Sequence, residues 1–396
     1  MAEDNPKKKK IKLSLSPEDI KDLISNTKEP LLLNRILSWD VLKWSLDDWI
    51  KGLGDTKLDF RLGTKQCTKV PQWEGYCGTV SASLSDVVRS REDDSGIWMY
   101  CDYKHMNQYF KSRSELLESL SWADVGLPDK SGKDSTIWIG TEGAYTPCHM
   151  DSYGCNIVAQ VHGRKLWILF PPSSTSTLSP TRVPYEESSI YSNIHFSCGQ
   201  NITEDIGEAR VVELSPGDVL VVPKHWWHYV ENLSTAISIN MWIPRESDDV
   251  SRLEEALVRF SIATIIKGLD VDTPSGVTSL LNPNEMDLPD ETIDLRQISW
   301  CTDQLMAKGK GEEEEAVNNS CSPADMDPSC VAPVTKVSAA QLRRILLDKC
   351  GCADSISNHE DHIKPNKSLT TEDVINAFCH PSVISQVAKL LINSRK

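Results

Sequence analysis

The sequence lacks any long hydrophobic segment. Among its 396 residues there is no run of about 18 uncharged apolar residues, the length that a membrane-spanning helix requires. The first ten residues, MAEDNPKKKK, also lack the apolar stretch of a secretory signal peptide. Together these two absences predict a soluble protein that stays inside the cell.

Positive charge is in short supply as well. Lys and Arg number 42 against 57 Asp and Glu, which gives a formal net charge of −15. A generally basic surface for nucleic acid is therefore not expected, whereas basic segments of other proteins are electrostatically suitable partners. The one basic run, Lys7 to Lys10, is either a nuclear localisation signal or a solvated tail.

Cysteine is present without a recognisable pairing pattern. The 12 cysteines are scattered over a long chain, which predicts reduced thiols and no disulfides. Near the C-terminus some of them lie among histidines, in the set Cys350, Cys352, His359, His362, Cys379 and His380. Because these spacings fit none of the standard zinc patterns, thiols and surface histidines are the simpler interpretation.

Composition divides the chain into six segments. A capping box at Ser16 begins the folded part, and residues 306–336 combine a glutamate run with Ser, Asn, Asp and Pro, which predicts disorder. The predicted order is a basic tail (1–15), an N-terminal α/β lead packing on the core (16–125), a β-rich core (126–246), a helical extension (247–305), a disordered acidic linker (306–336) and a C-terminal helical module (337–396).

The core reads as a succession of short strands broken by glycine and proline. Apolar segments such as 156–161, 165–170 and 218–222 are separated by turns at Gly163, Pro171-Pro172 and Pro216-Gly217. Strands at this spacing indicate a sandwich or barrel, not a parallel α/β sheet. Residues 172–209, polar and rich in Ser and Thr, are predicted to form a long loop that is functional or mobile.

One constellation points to metal chemistry. His149 and Asp151 are two residues apart where a strand should begin, so their side chains would lie on the same face. A later strand pair supplies His225 and His228, which cannot both face the same point. Two histidines and a carboxylate on one face form the facial triad of non-heme Fe(II) oxygenases.

The surrounding motifs resemble the JmjC family of Fe(II)- and 2-oxoglutarate-dependent oxygenases, in its cupin-like hydroxylase branch. The resemblance rests on a series of motifs: Thr146-x-x-His149-x-Asp151, then Asn156, then Gly163-Arg164-Lys165 before an apolar strand, and finally Pro223 and Trp226-Trp227-His228. The motifs cover roughly residues 96–246. The resemblance implies a mainly β, double-stranded β-helix (jelly-roll or cupin) core with flanking N- and C-terminal helices.

The resemblance also assigns roles to individual residues. It implies that His149, Asp151 and His228 bind Fe(II), which selects His228 over His225. Lys165 would pair with the distal carboxylate of 2-oxoglutarate. The remaining implied contacts of that cosubstrate are Thr146, Asn156, Asn240 and Tyr100.

Each of these cosubstrate residues has a simpler interpretation. An inward Lys165 needs an anion, because burying an unpaired ammonium is costly, but Lys165 could instead be an outward residue of a hairpin. Asn240 could only satisfy a buried hydrogen bond, and Tyr100 could be an ordinary core tyrosine. Asn156 lies one residue farther from His149 than the family pattern places it.

The implied activity is hydroxylation of a protein side chain with Fe(II), 2-oxoglutarate and O2. The lysine-rich start, the Trp-rich lead and the acidic linker resemble a branch of the family that implies a small heat-shock protein as partner, and location in the cytoplasm, with the nucleus as the alternative. Demethylation of a histone is the less favoured reaction. A JmjC-fold adaptor with little or no turnover is the rival from another class, since a fold does not fix a function. The C-terminal helices either form a homodimer or cover the barrel.

Overall fold

The computed structural model describes residues 15–68, 70–90, 96–268, 279–286, 291–308, 329–350 and 369–395. The basic run Lys7 to Lys10, the acidic part of the predicted linker and the residues Cys352, His359 and His362 lie outside these ranges. The strands are β1 (Leu31–Asn34), β2 (Leu58–Thr64), β3 (Gly78–Ala82), β4 (Ile97–His105), β5 (Thr136–Gly140), β6 (Tyr145–Asp151), β7 (Cys155–His162), β8 (Lys165–Phe170), β9 (Pro180–Glu186), β10 (Ser189–Ser192), β11 (Ala209–Leu214), β12 (Asp218–Val222), β13 (Trp227–Asn232), β14 (Ala236–Ile243), β15 (Val331–Pro333) and β16 (Thr335–Val337).

The strands form two antiparallel sheets that pack face to face. The nine-stranded sheet has the order β15-β1-β12-β7-β14-β5-β4-β2-β3, and the seven-stranded sheet has the order β16-β11-β8-β13-β6-β10-β9. Apolar side chains of both sheets share buried clusters, as Val158 of one sheet does with Trp167 and Val230 of the other. The predicted mainly β jelly-roll core is thereby confirmed.

Strand β7 shows why the core strands read as nearly continuous apolar runs. Its side chains alternate between two faces, and both faces are covered. Ile157, Ala159 and Val161 pack against the N-terminal lead in one cluster, whereas Asn156 and Val158 line a cavity between the sheets. The strand is therefore buried from Cys155 to Val161.

The helices flank this double sheet. They are α1 (Pro17–Asn26), α2 (Leu46–Leu53), α3 (Leu84–Arg89), α4 (Met106–Tyr109), α5 (Ser114–Ser119), α6 (Asp249–Gly268), α7 (Glu291–Lys308), α8 (Ala339–Cys350), α9 (Thr371–Phe378) and α10 (Pro381–Ser394). In the described part of the chain, none of them is both long and apolar enough to cross a membrane.

The N-terminal lead covers the outer face of the nine-stranded sheet. Trp39 and Trp49 are buried there, with Trp44 half-buried beside Trp49. Ser16 begins α1 with the expected capping box, since its hydroxyl accepts from the Asp19 backbone N–H at 3.2 Å. At the other end of the chain, α8 packs against the cluster behind β8 and β13, while α9 and α10 pack with α6.

The prediction of a long loop at 172–209 was wrong. This segment contains β9 and β10, and β10 pairs with β6 so that Tyr191 lies opposite His149. Some of the Ser and Thr hydroxyls that suggested a loop are buried and satisfied by backbone groups. The Ser192 hydroxyl donates to the Leu178 carbonyl at 2.5 Å, and that of Thr181 donates to the Val183 carbonyl at 3.1 Å.

The end of the predicted linker was also wrong, because residues 331–337 belong to the sheets. Strand β15 pairs with β1, and β16 pairs with β11, so each extends one sheet at its edge. Val331, Val334 and Val337 are buried in three different apolar clusters. An average composition over thirty residues hides these three anchors among polar neighbours.

Candidate metal site and adjoining cavity

Two neighbouring strands place the candidate metal ligands on one face of the seven-stranded sheet. His149 and Asp151 lie two residues apart on β6, and His228 of β13 pairs directly with His149. The two imidazole rings are 4.2 Å apart between centroids, and His149 Nε2 is 3.8 Å from Asp151 Oδ1. One ligand atom from each of the three residues lies within 4.8 Å of the other two.

Hydrogen bonds orient both imidazoles toward a common point. Nδ1 of His149 lies 2.9 Å from the Pro147 carbonyl, and Nδ1 of His228 lies 2.9 Å from the Trp226 carbonyl. Because a carbonyl only accepts, each Nδ1 carries the proton and each Nε2 presents a lone pair. Burial, together with the nearby His149, lowers the pKa of His228 to about 4, which keeps this imidazole neutral.

The carboxylate is oriented in the same way. Asp151 is buried, and its Oδ2 accepts a hydrogen bond from Trp242 Nε1 at 2.9 Å. Its Oδ1 is left on the side of the two Nε2 atoms. Two imidazoles and one carboxylate, each fixed by a second contact, match the donor set of a non-heme iron site.

His225 lies outside this group. Its backbone has φ +67°, its N–H donates to the Asp151 carbonyl at 2.9 Å, and its Nε2 is 2.9 Å from the Ser152 carbonyl. The left-handed backbone turns the chain just before β13, so the two histidines three residues apart point to different surroundings. The structure thus brings His228, and not His225, together with His149 and Asp151.

A cavity opens beside the candidate ligands. It contains all the residues that the sequence analysis proposed for 2-oxoglutarate. Its lining is Tyr100, Trp138, Thr146, His149, Asn156, Val158, Lys165, Trp167, His228, Val230, Ser238, Asn240 and Trp242.

Lys165 points into the protein, not outward from a hairpin. Only 2% of the residue is exposed, and Nζ lies 3.5 Å from the Tyr100 hydroxyl and 5.4 Å from the centre of its ring. No carboxylate of the described residues lies within 4.0 Å of Nζ. Burial therefore lowers the pKa of Lys165 to about 7. A ligand carboxylate in the cavity would supply the missing anion.

Tyr100 and Thr146 complete the polar end of the cavity. The Thr146 hydroxyl donates to the Tyr100 oxygen at 3.3 Å, and Lys165 donates to the same oxygen. Because a phenol has a single proton, Tyr100 can still donate that proton to a bound ligand. Burial raises the pKa of Tyr100, so the phenol stays protonated.

Asn240 and Asn156 form one hydrogen-bonded chain. Asn240 Nδ2 donates to Asn156 Oδ1 at 2.8 Å, and Trp138 Nε1 donates to Asn240 Oδ1 at 2.8 Å. Asn240 is therefore a buried amide with satisfied hydrogen bonds, as its simpler interpretation states. Both amides nevertheless lie at the cavity wall, where their fixed dipoles face any ligand.

The sequence is similar to proteins of one known family. A family described as the cupin-like domain matches residues 56–249 of the chain. The HSPB1-associated protein 1 of Homo sapiens is 38% identical over 293 residues, which span 68% of this chain and 58% of that protein. The chain belongs to the cupin-like (JmjC) family.

Other relatives extend the match in both directions. The HSPB1-associated protein 1 homolog of Danio rerio is 29% identical over 444 residues, which cover 95% of this chain and 97% of that protein. Lysine-specific demethylase 8 of Xenopus tropicalis is 25% identical over 237 residues, with 57% of this chain and 51% of that protein covered. The chain spans less than two thirds of the length of the human relative.

The JmjC motifs did not reveal every residue of the cavity. Ser238 and Trp242 flank Asn240 at two-residue spacing on β14, so strand alternation could have found both. Trp242 is the more informative omission, because its indole holds Asp151. Trp138 comes from another strand, β5, and only the pairing of β5 with β14 brings it to Asn240.

Proposed function

We propose that this protein is an Fe(II)- and 2-oxoglutarate-dependent oxygenase that hydroxylates a protein side chain. One structural observation supports the proposal independently of family membership. The buried Lys165 has no carboxylate partner among the described residues, yet it faces the same cavity as His149 and His228. A dicarboxylate that reaches from the metal to Lys165 would satisfy both ends of that cavity.

Each part of the site has a distinct task in this proposal. His149 Nε2, Asp151 Oδ1 and His228 Nε2 would hold the iron. Lys165, Thr146 and Tyr100 would bind the distal carboxylate of 2-oxoglutarate. When both are bound, the metal and cosubstrate supply oxidation of 2-oxoglutarate to succinate and CO2 by O2, with one oxygen atom inserted into a substrate C–H bond.

The chain itself prepares the surroundings for this reaction. Trp138, Trp167 and Trp242 wall the cavity with apolar surface, which limits water around the reacting groups. The amide pair Asn240–Asn156 supplies fixed dipoles that need not reorganise. The indole of Trp242 keeps Asp151 from rotating away from the two histidines.

The proposed substrate or client is a small heat-shock protein. The support is the name of the human and zebrafish relatives, which describes them as associated with HSPB1. That name describes association and not turnover, so it also favours the second candidate function, a JmjC-fold adaptor that binds its client without modifying it. A relative named as a lysine demethylase keeps demethylation as a third outcome.

The test has two steps. Anaerobic calorimetry with Mn(II) should detect 2-oxoglutarate binding to the wild type, loss of binding in Asp151→Ala, and unchanged binding in the exposed control Asp205→Ala. Mass spectrometry of a small heat-shock protein after aerobic turnover should then show the gain of one oxygen atom. Release of formaldehyde would instead identify demethylation.

The adaptor predicts a different pair of results. Client binding would survive His149→Ala unchanged, and no oxygen would be added to the client. Absence of 2-oxoglutarate binding by folded, metal-loaded wild type would contradict the oxygenase proposal.

Location and assembly stay predictions. Cytoplasmic location, with the nucleus as the alternative, is tested by fractionation. A homodimer through the C-terminal helices would use the exposed apolar side chains Val383, Val387 and Leu390 of α10, and light scattering would detect it.

A further inference from the structure

Three cysteines from distant parts of the chain meet on the side of the core that α8 covers. Cys67 follows β2, Cys198 precedes a short 3-10 turn at Gly199–Asn201, and Cys350 is the last residue of α8. Their three sulfur atoms lie within 4.8 Å of one another. Cys198 is buried, Cys350 is half-buried and Cys67 is exposed, so the group runs from the interior to the surface.

The sulfur spacing matches metal coordination better than a disulfide. Sγ of Cys198 and Sγ of Cys350 are 3.6 Å apart. A disulfide requires about 2.05 Å, whereas tetrahedral zinc with Zn–S bonds of about 2.3 Å places neighbouring sulfur atoms about 3.8 Å apart. Cys198 and Cys350 already have that spacing, and Cys67 is exposed.

The backbone around the cysteines is built for close approach. A Cβ added at Gly199 would lie 2.4 Å from the Arg343 carbonyl oxygen and 2.8 Å from Leu347 Cγ, both on α8. Only glycine therefore allows the turn after Cys198 to approach α8 so closely. This contact is what brings Cys198 to Cys350 at the end of the helix.

We propose that Cys67, Cys198 and Cys350 bind a thiophilic divalent metal ion, Zn²⁺ above all, at a site separate from the His149–Asp151–His228 group. Thiolate ligands select zinc over the hard cations, and in the described part of the chain this group has three members, which leaves the fourth position of a tetrahedral ion open. An open cleft that includes Cys67 and Cys350 gives the ion a path from solvent. The bound metal would join the N-terminal lead, the segment after β10 and the C-terminal helix.

Cobalt is the probe that separates the two sites. The full chain, reduced and stripped of metal, should bind Co(II) with thiolate-to-cobalt charge-transfer absorption in the near ultraviolet. Imidazole and carboxylate ligands give no such band, so His149→Ala should retain it, and added Zn²⁺ should abolish it. Zn²⁺ should also raise the melting temperature of the His149→Ala protein.

The decisive variant is Cys67→Ser, because this exposed residue can be changed without disturbing the core. We expect its Co(II) affinity at the thiolate site to fall at least about ten-fold, since the loss of a ligand exceeds the effect of losing a supporting contact. Cys330→Ser, a half-buried cysteine outside the group, is the matched control and should bind like wild type.

Two results would overturn the proposal. One is a charge-transfer band that is absent from the wild type or equally strong in Cys67→Ser. The other is a Cys198–Cys350 disulfide in the isolated protein that, after reduction, gives no thiolate-to-cobalt band. Neither result depends on 2-oxoglutarate or O2, so failure here is distinct from failure of the proposed oxygenase function.

Discussion

Two regions of the protein bury a basic side chain and treat it in opposite ways. Arg182 of β9 is 5% exposed and is paired with Glu255 of α6 through two hydrogen bonds, of 3.0 and 2.5 Å. Lys165 of β8 is 2% exposed, yet its closest polar contact is the neutral Tyr100 hydroxyl at 3.5 Å. The first cation is neutralised by the fold itself, whereas the second has no carboxylate partner among the described residues.

The choice of residue fits each task. Arginine presents a fixed planar fork that binds a carboxylate with two parallel hydrogen bonds, and it stays charged when buried. Lysine is a point charge whose pKa shifts when it is buried, so it tolerates a cavity that is filled only part of the time. We infer that Arg182 joins β9 to α6, whereas the Lys165 ammonium obtains an anionic partner only when a ligand binds.

The largest expected effect is on the paired cation. Glu255→Gln keeps the shape of the side chain but leaves Arg182 charged, buried and unpaired, and Glu255 also accepts from the Ser188 N–H and the Ser152 hydroxyl. We expect the free energy of unfolding to fall by about 3–5 kcal/mol. Urea denaturation followed by fluorescence measures it.

An exposed pair supplies the control for that change. Arg164 and Glu213 form an ion pair at the surface, with about half of each side chain exposed. Glu213→Ala should alter the free energy of unfolding by less than about 1 kcal/mol. If Glu255→Gln were equally mild, the contrast between the two buried cations would have no energetic basis.

The next effect concerns the unpaired cation. Lys165→Met preserves the length and apolar stem of the side chain but removes the ammonium that we assign to 2-oxoglutarate. Loss of one partner of a buried charge pair costs about 2–5 kcal/mol, so we expect at least about 30-fold weaker binding. Anaerobic calorimetry with Mn(II) measures it.

Metal binding shows whether the effect of Lys165→Met is specific to 2-oxoglutarate. Mn(II) binding in the absence of 2-oxoglutarate should be unchanged, because Lys165 is not among the candidate ligands. Equal weakening of metal and cosubstrate binding would point to general damage to the cavity. It would contradict the assignment of Lys165 to 2-oxoglutarate.

A smaller effect is expected at the carboxylate of the candidate metal site. Asp151 is oriented by the Trp242 indole, at 2.9 Å, and not by a cation as Glu255 is. Trp242→Phe removes this donor and keeps most of the apolar wall. Metal affinity should fall about ten-fold, at the lower end of the range for lost supporting contacts. Electron paramagnetic resonance of Mn(II) titrations would detect it, and unchanged affinity would show that Asp151 needs no support.

The sequence alone predicted the features that depend on local spacing. Strand alternation placed His149 and Asp151 on one face, and the apolar run after Lys165 already implied that an inward lysine would need an anion. Family resemblance, and not spacing, selected His228 over His225. The reason for that selection became visible only with the left-handed backbone at His225.

Features that depend on distant pairings could not be predicted. Arg182 and Glu255 are separated by 73 residues, and the strand that carries Arg182 was hidden by Ser and Thr hydroxyls that bond to nearby carbonyls. Strands β15 and β16 are too short to show a period of two, and only their partners β1 and β11 define them. The meeting of Cys67, Cys198 and Cys350 likewise requires the whole fold, since their spacing matches no local zinc pattern.

The smallest effect is a pH dependence that only the unpaired cation should show. The pKa of Lys165 is lowered by burial to about 7, whereas an unfolded chain has a lysine pKa of about 10.4. Between these values the unfolded state binds more protons than the folded state, so the ligand-free protein becomes more stable as the pH rises from about 7 to about 10.

Lys165→Met removes this contribution. The free energy of unfolding of the variant should therefore exceed that of the wild type near pH 7, by on the order of 1 kcal/mol where water entering the cavity screens the charge, and the difference should vanish near pH 10. Parallel urea titrations of the two proteins measure the difference and cancel other titrating groups. A constant difference across this range would mean that Lys165 is solvated or paired in the folded protein, and the contrast with Arg182 would fail.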